Sequence, residues 1–325
     1  ELINDFQFSQ DVYSFYGTWS HTIKQFSYQV GVRLEQAFMK SELFTTNESY
    51  DKNYFSFFPS AHLAYKIGDK NELKLSYSRR INRPNMWNTN PFPRYSDPYN
   101  IRMGNPNLDP EYINSAELGY GYYANKFTMT AAVYFRHTDD LIRRVRLVDD
   151  QGVSITTFRN IDDQYSYGLE LVAMYKPWKW WRLNLSGNAF QINIVDSDPE
   201  NDFNNSGFNY RMNFISTMTF WEDFEFQISG YYRGPYTIPQ GYLEPFLNMD
   251  IGLQKGILKG KGTIGIKVSD VFNTKAFNLV FIDNTFTQEA TWKQETRFFY
   301  VNFSYRFGKV DKKFKGGGGA PSGMD

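Results

Sequence analysis

The chain has 325 residues, 41% of them hydrophobic and 19% aromatic, and its 35 basic and 35 acidic side chains leave no net charge. We expect no nucleic-acid partner, because there is no long-range basic field to attract one. The absence of cysteine excludes disulfides and thiolate metal sites, and no apolar run approaches the about 20 residues of a membrane-spanning helix.

Strands dominate the pattern along the chain. Apolar and polar side chains alternate with the period of two that is typical of strands, and helical periodicity is nearly absent. About thirteen strands are predicted in an up-and-down order, several of them about 9–12 residues long, which suits a tilted membrane crossing. Their apolar positions lie within residues 12–22, 26–38, 61–67, 73–77, 116–122, 127–135, 167–175, 181–189, 208–220, 224–232, 247–253, 262–268 and 295–307.

The two faces of these strands differ in polarity. In the second strand, Val30 and Val32 lie on one face and Arg33 lies on the other. An arginine that faced lipid at mid-membrane would cost about 2–4 kcal/mol, so the Arg33 face is expected to line water. The closing strand follows the same rule, with Phe303 on one face and Asn302 on the other. The predicted fold is an all-β, antiparallel, transmembrane up-and-down β-barrel.

Short and long connections alternate between the strands. In outer-membrane barrels, short turns lie on the periplasmic side and long loops lie outside. Tryptophans near the short turns support this sidedness, because indole rings collect at membrane interfaces. A soluble sandwich is the alternative, but a sandwich rarely sustains such long strands. The short turns lie near 23–25, 68–71, 124–126, 176–179, 221–223 and 256–260, and the long loops near 39–54, 81–111, 138–153, 195–207, 235–246 and 270–294.

The predicted strand count is odd, whereas bacterial single-chain barrels have even numbers. Either strands precede this chain, or residues 1–10, in which Phe6 and Phe8 alternate with polar residues, belong to a fourteenth strand.

Several motifs resemble those of one family. Residues 77–84 read Tyr-Ser-Arg-Arg-Ile-Asn-Arg-Pro, and residues 104–111 read Gly-Asn-Pro-Asn-Leu-Asp-Pro-Glu, within a loop that contains six prolines. Together with Tyr-Gly-Leu-Glu at 167–170, Asp-Val-Phe-Asn at 270–273 and the closing strand, they resemble the C-terminal barrel of TonB-dependent outer-membrane receptors. The likeness is greatest to the large outer-membrane β-barrel family of Bacteroidota.

This resemblance implies a bacterial outer-membrane barrel of about 22 strands, closed by an N-terminal plug. Residues 1–307 would be its C-terminal portion, and residues 308–325 a flexible periplasmic tail rich in glycine and lysine. It also implies import of a ferric chelate, glycan or peptide without covalent chemistry. The expected partners are lipid and lipopolysaccharide, the plug and missing strands, a TonB-type energising complex, and a surface lipoprotein or other envelope subunits. The alternative is a receptor-derived scaffold subunit of an envelope assembly or secretion complex.

Arginines and aromatic residues on or near the long loops are the candidate ligand site. Arginine grips carboxylate and phosphate groups in a bidentate manner, and aromatic rings offer stacking surfaces. The alternative is that these arginines pair with lipopolysaccharide phosphates or with acidic loop residues. The candidates are Arg80, Arg83, Trp87, Tyr95, Arg102, Arg143, Arg144, Arg146 and Tyr236.

An acidic stretch is a weaker candidate for calcium, because Asp196, Asp198, Glu200 and Asp202 place carboxylates at every second position. A solvated acidic loop is the favoured explanation, since the glycine and the later glutamate of an EF-hand are missing. No other cofactor is expected. His137 precedes Asp139, but no nucleophile, base and orienting group are spaced as a catalytic set, so we expect no enzyme.

Overall fold

The computed structural model describes residues 4–197, 203–221, 223–282 and 287–307. Within these residues, the helical segments are α1 (Met86–Thr89) and a 3-10 turn at Leu258–Gly260, and no helix is long and apolar enough to cross a membrane. The strands are β1 (Phe6–Ile23), β2 (Phe26–Leu43), β3 (Glu48–Ile67), β4 (Asn71–Asn82), β5 (Arg94–Asp97), β6 (Asn100–Arg102), β7 (Glu111–Tyr123), β8 (Phe127–Val148), β9 (Ser154–Trp178), β10 (Trp181–Val195), β11 (Asn205–Phe220), β12 (Phe224–Arg233), β13 (Tyr236–Ile238), β14 (Gly241–Leu243), β15 (Phe246–Ile257), β16 (Gly262–Val268), β17 (Phe277–Ile282), β18 (Thr287–Trp292) and β19 (Phe299–Tyr305).

The main sheet is an antiparallel meander. Thirteen of the described strands follow one another in the order β1-β2-β3-β4-β7-β8-β9-β10-β11-β12-β15-β16-β19. The all-β antiparallel fold class is therefore confirmed. In the described part of the chain, β1 and β19 each pair on one side only, so the sheet has two open edges.

One face of the meander is apolar. A row of directly paired residues runs across eight neighbouring strands, and its members are aliphatic or aromatic. Leu118, Val133 and Leu169 in this row are apolar and yet about half exposed. Such an exposed apolar surface is what a lipid-facing wall requires. The row of this apolar face consists of Tyr28, Leu63, Leu75, Leu118, Val133, Leu169, Ala189 and Tyr210.

The opposite face is polar. The neighbouring row, one residue along each strand, contains only charged, polar or small side chains. Because successive side chains point to opposite sides of a strand, this polar face lies behind the apolar face. Its row consists of Ser27, Ala64, Lys74, Gly119, Ala132, Glu170, Asn188 and Arg211.

The predictions of long loops at 39–54 and 138–153 are wrong, because the strands continue into these segments. The β2–β3 hairpin extends to Leu43 and Glu48, and the β8–β9 hairpin extends to Val148 and Ser154. These extensions lie beyond the apolar rows, so their side chains do not show the lipid-and-water alternation. The predicted fourteenth strand is also wrong, because residues 6–10 are the start of β1.

Three of the remaining long loops, 81–111, 235–246 and 270–294, carry secondary structure of their own. Strands β5 and β6 form a small hairpin that attaches to β9, and β13, β14, β17 and β18 form a separate four-stranded sheet. A cluster of buried side chains joins the extended β8–β9 hairpin to this end of the meander. It consists of Leu141, Val145, Ile161, Ile192, Ile194 and Phe203, with Tyr236 packed against it. The predicted tail, residues 308–325, lies outside the described residues.

Candidate ligand-binding site

Four arginines lie on one face of the β8–β9 extension and the strands attached to it. Strand β6 pairs in parallel with β9, which sets Arg102 opposite Thr156, and β8 sets Arg146 opposite the same threonine. Strand β5 sets Arg94 opposite Arg102. Directly paired residues point to the same side of a sheet, so these arginines share one face. Arg144, two residues before Arg146, shares it too. We call Arg94, Arg102, Arg144 and Arg146 the arginine row.

The charges of the arginine row are spread over neighbouring strands. Arg102 and Arg146 flank Thr156, so their backbones are about 10 Å apart, twice the distance between neighbouring strands. In the described part of the chain, no carboxylate lies within 4.0 Å of any guanidinium of the row. Its four positive charges therefore have no counter-ion among the residues that the structure describes.

Aromatic rings lie at both ends of the row. The guanidinium carbon of Arg94 lies 5.0 Å from the centre of the Trp87 ring, and that of Arg146 lies 5.6 Å from the centre of Phe281. Cation–π contacts of this kind hold an arginine in place without neutralising its charge. Trp87 is 62% exposed, so its ring is also free to contact a ligand.

The arginines affect one another electrostatically in this hairpin, which lies beyond the apolar rows. Burial and the positive charge of Arg102 lower the pKa of Arg144. Burial, Arg102 and Arg144 likewise lower the pKa of Arg146. An arginine remains protonated at neutral pH despite such shifts. The contribution of the neighbouring arginines to both pKa shifts shows that positive charges lie close together in the row, and a bound anion would relieve their repulsion.

The glycine- and proline-rich motif at 104–111 fixes the loop that carries β6. A Cβ on Gly104 would lie 2.6 Å from the main-chain oxygen of Asn88, so only glycine fits this close approach. Asn105 donates from Nδ2 to the main-chain oxygen of Phe158, and the main chain of Asp109 donates to Oδ1 of Asn160. These bonds tie the loop to β9 and bring Arg102 alongside Thr156.

Gln240 fixes the other side of the row. Its Oε1 accepts a hydrogen bond of 2.8 Å from the main-chain nitrogen of Arg146, and its Nε2 donates one of 2.9 Å to the oxygen of Arg146. The Gln240 side chain thus makes the two main-chain hydrogen bonds that a neighbouring strand would make to Arg146 at this edge of β8. The turn between β13 and β14 is joined in this way to the arginine row.

Two predicted arginines are instead engaged with buried carboxylates. Arg83 contacts Glu35, with Nη2 and Oε2 2.5 Å apart. Arg143 contacts Glu111 at 3.3 Å, and this glutamate also accepts a hydrogen bond from the main chain of Ile142. Both arginines are therefore compensated within the fold.

Three other predicted residues lie apart from the row. Arg80 is on the polar face, where it lines a cavity of about 740 Å³ with Arg33 and Glu35. Tyr236 packs against the buried cluster. Tyr95 follows Arg94 in β5 and so points to the opposite side of that strand.

The predicted calcium ligands are only partly described. The main-chain nitrogen of Asp196 donates to Oδ1 of Asn204, at 3.0 Å. Asp198, Glu200 and Asp202 lie outside the described residues. The calcium site stays a prediction.

Three contributors to the site were not found from the sequence: Arg94, Gln240 and Phe281. Gln240 and Phe281 reach the row only through contacts more than 90 residues apart in the chain, which no local pattern encodes. Arg94 had a local signal, since it lies between Trp87 and Tyr95 in the proline-rich loop.

Comparison with known proteins identifies the family. Residues 1–305 match the model of the outer membrane protein beta-barrel family, and the chain belongs to this family. It is thus a protein of the bacterial outer membrane, as predicted. No curated protein is significantly similar to it in sequence.

Solved structures share the fold at low sequence identity. The FrpB iron transporter from Neisseria meningitidis is 13% identical with a TM-score of 0.61, over 93% of this chain and 46% of that one. The ferric yersiniabactin uptake receptor FyuA from Yersinia pestis is 14% identical with a TM-score of 0.64, over 92% and 46%. The ferric-catecholate import receptor Fiu from E. coli K12 is 13% identical with a TM-score of 0.66, over 93% and 45%. The chain spans less than half the length of these structures.

Proposed function

We propose that this chain is the C-terminal half of an outer-membrane importer, and that the arginine row binds an anionic ligand on its way into the barrel. The observation that carries the proposal is the row itself: four guanidinium groups on one face, with no carboxylate of the described residues within 4.0 Å. The similar structures described as iron transporters and ferric-chelate receptors support the same class of function. None of them is described as an enzyme.

The complete importer would need more than this chain. We infer that the rest of the protein supplies the plug and the strands that pair with the open edges of β1 and β19. An unpaired edge in lipid leaves main-chain groups without hydrogen bonds, at a cost of several kcal/mol each. In this arrangement the long-loop end faces outside, the C-terminus is periplasmic, and a TonB-type complex supplies the energy.

The charge of the row favours a ferric chelate with carboxylate or catecholate groups over a neutral glycan. A chelate that carries several negative charges can contact Arg102 and Arg146 together across about 10 Å. Trp87 then offers a flat surface for an aromatic or conjugated part of the ligand.

A titration of the full-length protein tests this proposal. Purified protein in detergent would be titrated calorimetrically with ferric citrate, a ferric catecholate and the neutral sugar maltoheptaose. We expect at least one ferric chelate to bind, and the double variant Arg102→Gln/Arg146→Gln to bind it at least 10-fold more weakly. Arg182→Gln is the matched control, because Arg182 is exposed at the short-turn end of β10. Equal chelate binding by the double variant would disprove the assignment of the row.

The scaffold alternative gives a different result in cells. A scaffold subunit would leave chelate uptake unchanged in the double variant, whereas an importer would lose uptake. Chelate uptake under iron limitation, measured with the variant present at normal levels in the outer membrane, separates the two functions.

A further inference from the structure

Three metal-ligating side chains meet on β8 and β9, on the opposite side of the strands from the polar face. Nε2 of His137 lies 2.5 Å from Oδ1 of Asp163 and 3.2 Å from Oδ1 of Asp139. One ligand atom from each residue can be chosen so that all three lie within 4.8 Å of one another. A single ion can therefore contact all three.

The two carboxylates need a positive partner. Asp139 and Asp163 are directly paired across the two strands, and like charges in that position destabilise a sheet. Among the described residues, no lysine or arginine lies within 4.0 Å of either carboxylate. Nε2 of His137 contacts both carboxylates, and an imidazole nitrogen is a common metal ligand.

The surrounding residues orient the ligands. The His137 ring stacks on Tyr165, with centres 4.6 Å apart and planes 8° apart. Oδ2 of Asp139 accepts a hydrogen bond of 3.4 Å from Asn114, which accepts one of 3.0 Å from the hydroxyl of Tyr77. In metal sites, hydrogen bonds and ring contacts of this kind hold the ligating side chains in position. The side chains of His137, Asp139 and Asp163 are 25%, 37% and 32% exposed, so ions can reach them.

The cluster lies at the edge of the lipid-facing wall. His137 is on the same side of β8 as Val133 and Phe135, which are half exposed on the apolar face. His137 is ten residues from Phe127, where β8 begins, which is a distance of about 33 Å along the strand. Because barrel strands are tilted, this corresponds to a height of about 25 Å across the membrane. That equals the height of the apolar band of an outer-membrane barrel. The cluster is therefore outside the lumen, at the long-loop boundary of the lipid.

We propose that His137, Asp139 and Asp163 bind one divalent transition-metal ion on the outer wall. An imidazole nitrogen with two carboxylate oxygens suits Zn²⁺ and similar ions, whereas Ca²⁺ and Mg²⁺ prefer oxygen ligands alone. The ion would join β8 to β9 next to Asp140, whose φ of 55° marks an irregular point in the strand. Beyond this point the same hairpin carries Arg144 and Arg146, so the ion would stiffen the support of the arginine row.

The test uses the full-length protein without a histidine tag, purified in detergent and freed of metal. Calorimetric titration with ZnCl2 should give one site per chain, and CaCl2 should bind at least 10-fold more weakly. His137→Ala and Asp163→Asn should each weaken Zn²⁺ binding at least 10-fold. His62→Ala is the matched control, because His62 lies on the polar face and should leave the affinity unchanged.

Anomalous X-ray scattering at the zinc edge would locate the ion in wild-type protein, independently of any variant. A peak between His137 and Asp163 supports the site. The proposal is overturned if no peak lies there, or if folded His137→Ala and Asp163→Asn proteins bind Zn²⁺ as wild type does. In that case the histidine is only a hydrogen-bond partner of the two carboxylates. Circular dichroism confirms that each variant retains its strands.

Discussion

Arg83 and Glu35 form an ion pair 48 residues apart in the chain, with Nη2 and Oε2 separated by 2.5 Å. Nε of Arg83 also donates to the hydroxyl of Tyr54 at 2.9 Å, and Arg33 contacts the other carboxylate oxygen of Glu35 at 2.7 Å. The pair ties the start of the proline-rich loop to β2. Arg83 therefore holds the loop in place and is not free to bind a ligand.

Removal of one partner should destabilise the fold. Glu35→Ala leaves the largely buried guanidinium group of Arg83 without its carboxylate, along with the half-exposed one of Arg33. We expect a loss of about 3 kcal/mol in the free energy of unfolding, mainly from Arg83. Urea unfolding of the protein in lipid vesicles measures it. Arg80→Ala is the control and should change stability by about 0.5 kcal/mol or less, because Arg80 is exposed and has no ion pair among the described residues. Equal effects of the two substitutions would contradict the structural role of the pair.

Gly168 should not tolerate a side chain. A Cβ at this position would lie 2.4 Å from Cβ of Phe190 and 2.5 Å from the main-chain oxygen of Ala189. Gly168→Ala should therefore lower the free energy of unfolding by about 1–3 kcal/mol. Gly187→Ala is the matched control in β10, where the nearest atom would be 3.7 Å away, and it should be neutral or slightly stabilising. The prediction fails if both alanines have the same effect in urea unfolding.

The assignment of the apolar face to lipid can be tested at two adjacent positions. Val133→Arg places a charge on the apolar face and should cost about 2–4 kcal/mol near mid-membrane. Ala132→Arg places the same charge on the polar face, opposite Glu170, and should cost far less. Unfolding free energies in vesicles compare the two. A larger cost for Ala132→Arg would mean that the faces are reversed.

Asp270 should make the long-loop end sensitive to acid. Burial alone would raise the pKa of Asp270, but a hydrogen bond from Thr296 and those from the main chains of Lys275 and Thr274 outweigh it, with help from the charge of Lys293. The pKa is therefore lowered from its usual value of about 4. Stability from this carboxylate is complete above pH 4 and is lost as the pH falls through the lowered pKa.

The substitution Asp270→Asn tests this linkage by removing the charge at every pH. Its cost in the free energy of unfolding should be larger at pH 7 than at pH 3, because pH 3 lies below the usual carboxyl pKa of the unfolded chain and part of the stabilisation is already lost there. Urea unfolding at the two pH values is the measurement. A cost that is equal at both, or larger at pH 3, would contradict the assigned role of Asp270.

The strands that contact lipid could be predicted because each of their side chains faces either lipid or water. Val133 faces lipid and Ala132 faces the lumen, and this difference is visible as alternation. Hairpin extensions such as that beyond Leu141 could not be predicted, because water or loops surround both of their faces. Apolar and polar side chains therefore no longer alternate along the strands. The β8–β9 extension is also joined to the rest of the fold by contacts such as that between Gln240 and Arg146, 94 residues apart.

The candidate site could be predicted only in part for a similar reason. Arginine near a long loop was the sequence signal for Arg102, Arg144 and Arg146, which the structure brings onto one face. The sequence could not separate them from Arg83 and Arg143, because the carboxylates of Glu35 and Glu111 that engage those two come from distant strands. Which arginines remain uncompensated is decided by register, above all by the parallel pairing of β6 with β9.

A structure of the full-length protein with the ferric chelate that binds it most tightly tests the central claim most directly. The account predicts chelate density in contact with the guanidinium groups of Arg102 and Arg146, above Thr156 and beside Trp87. Density for the chelate elsewhere in the barrel, with the arginine row empty at saturating ligand, would contradict it.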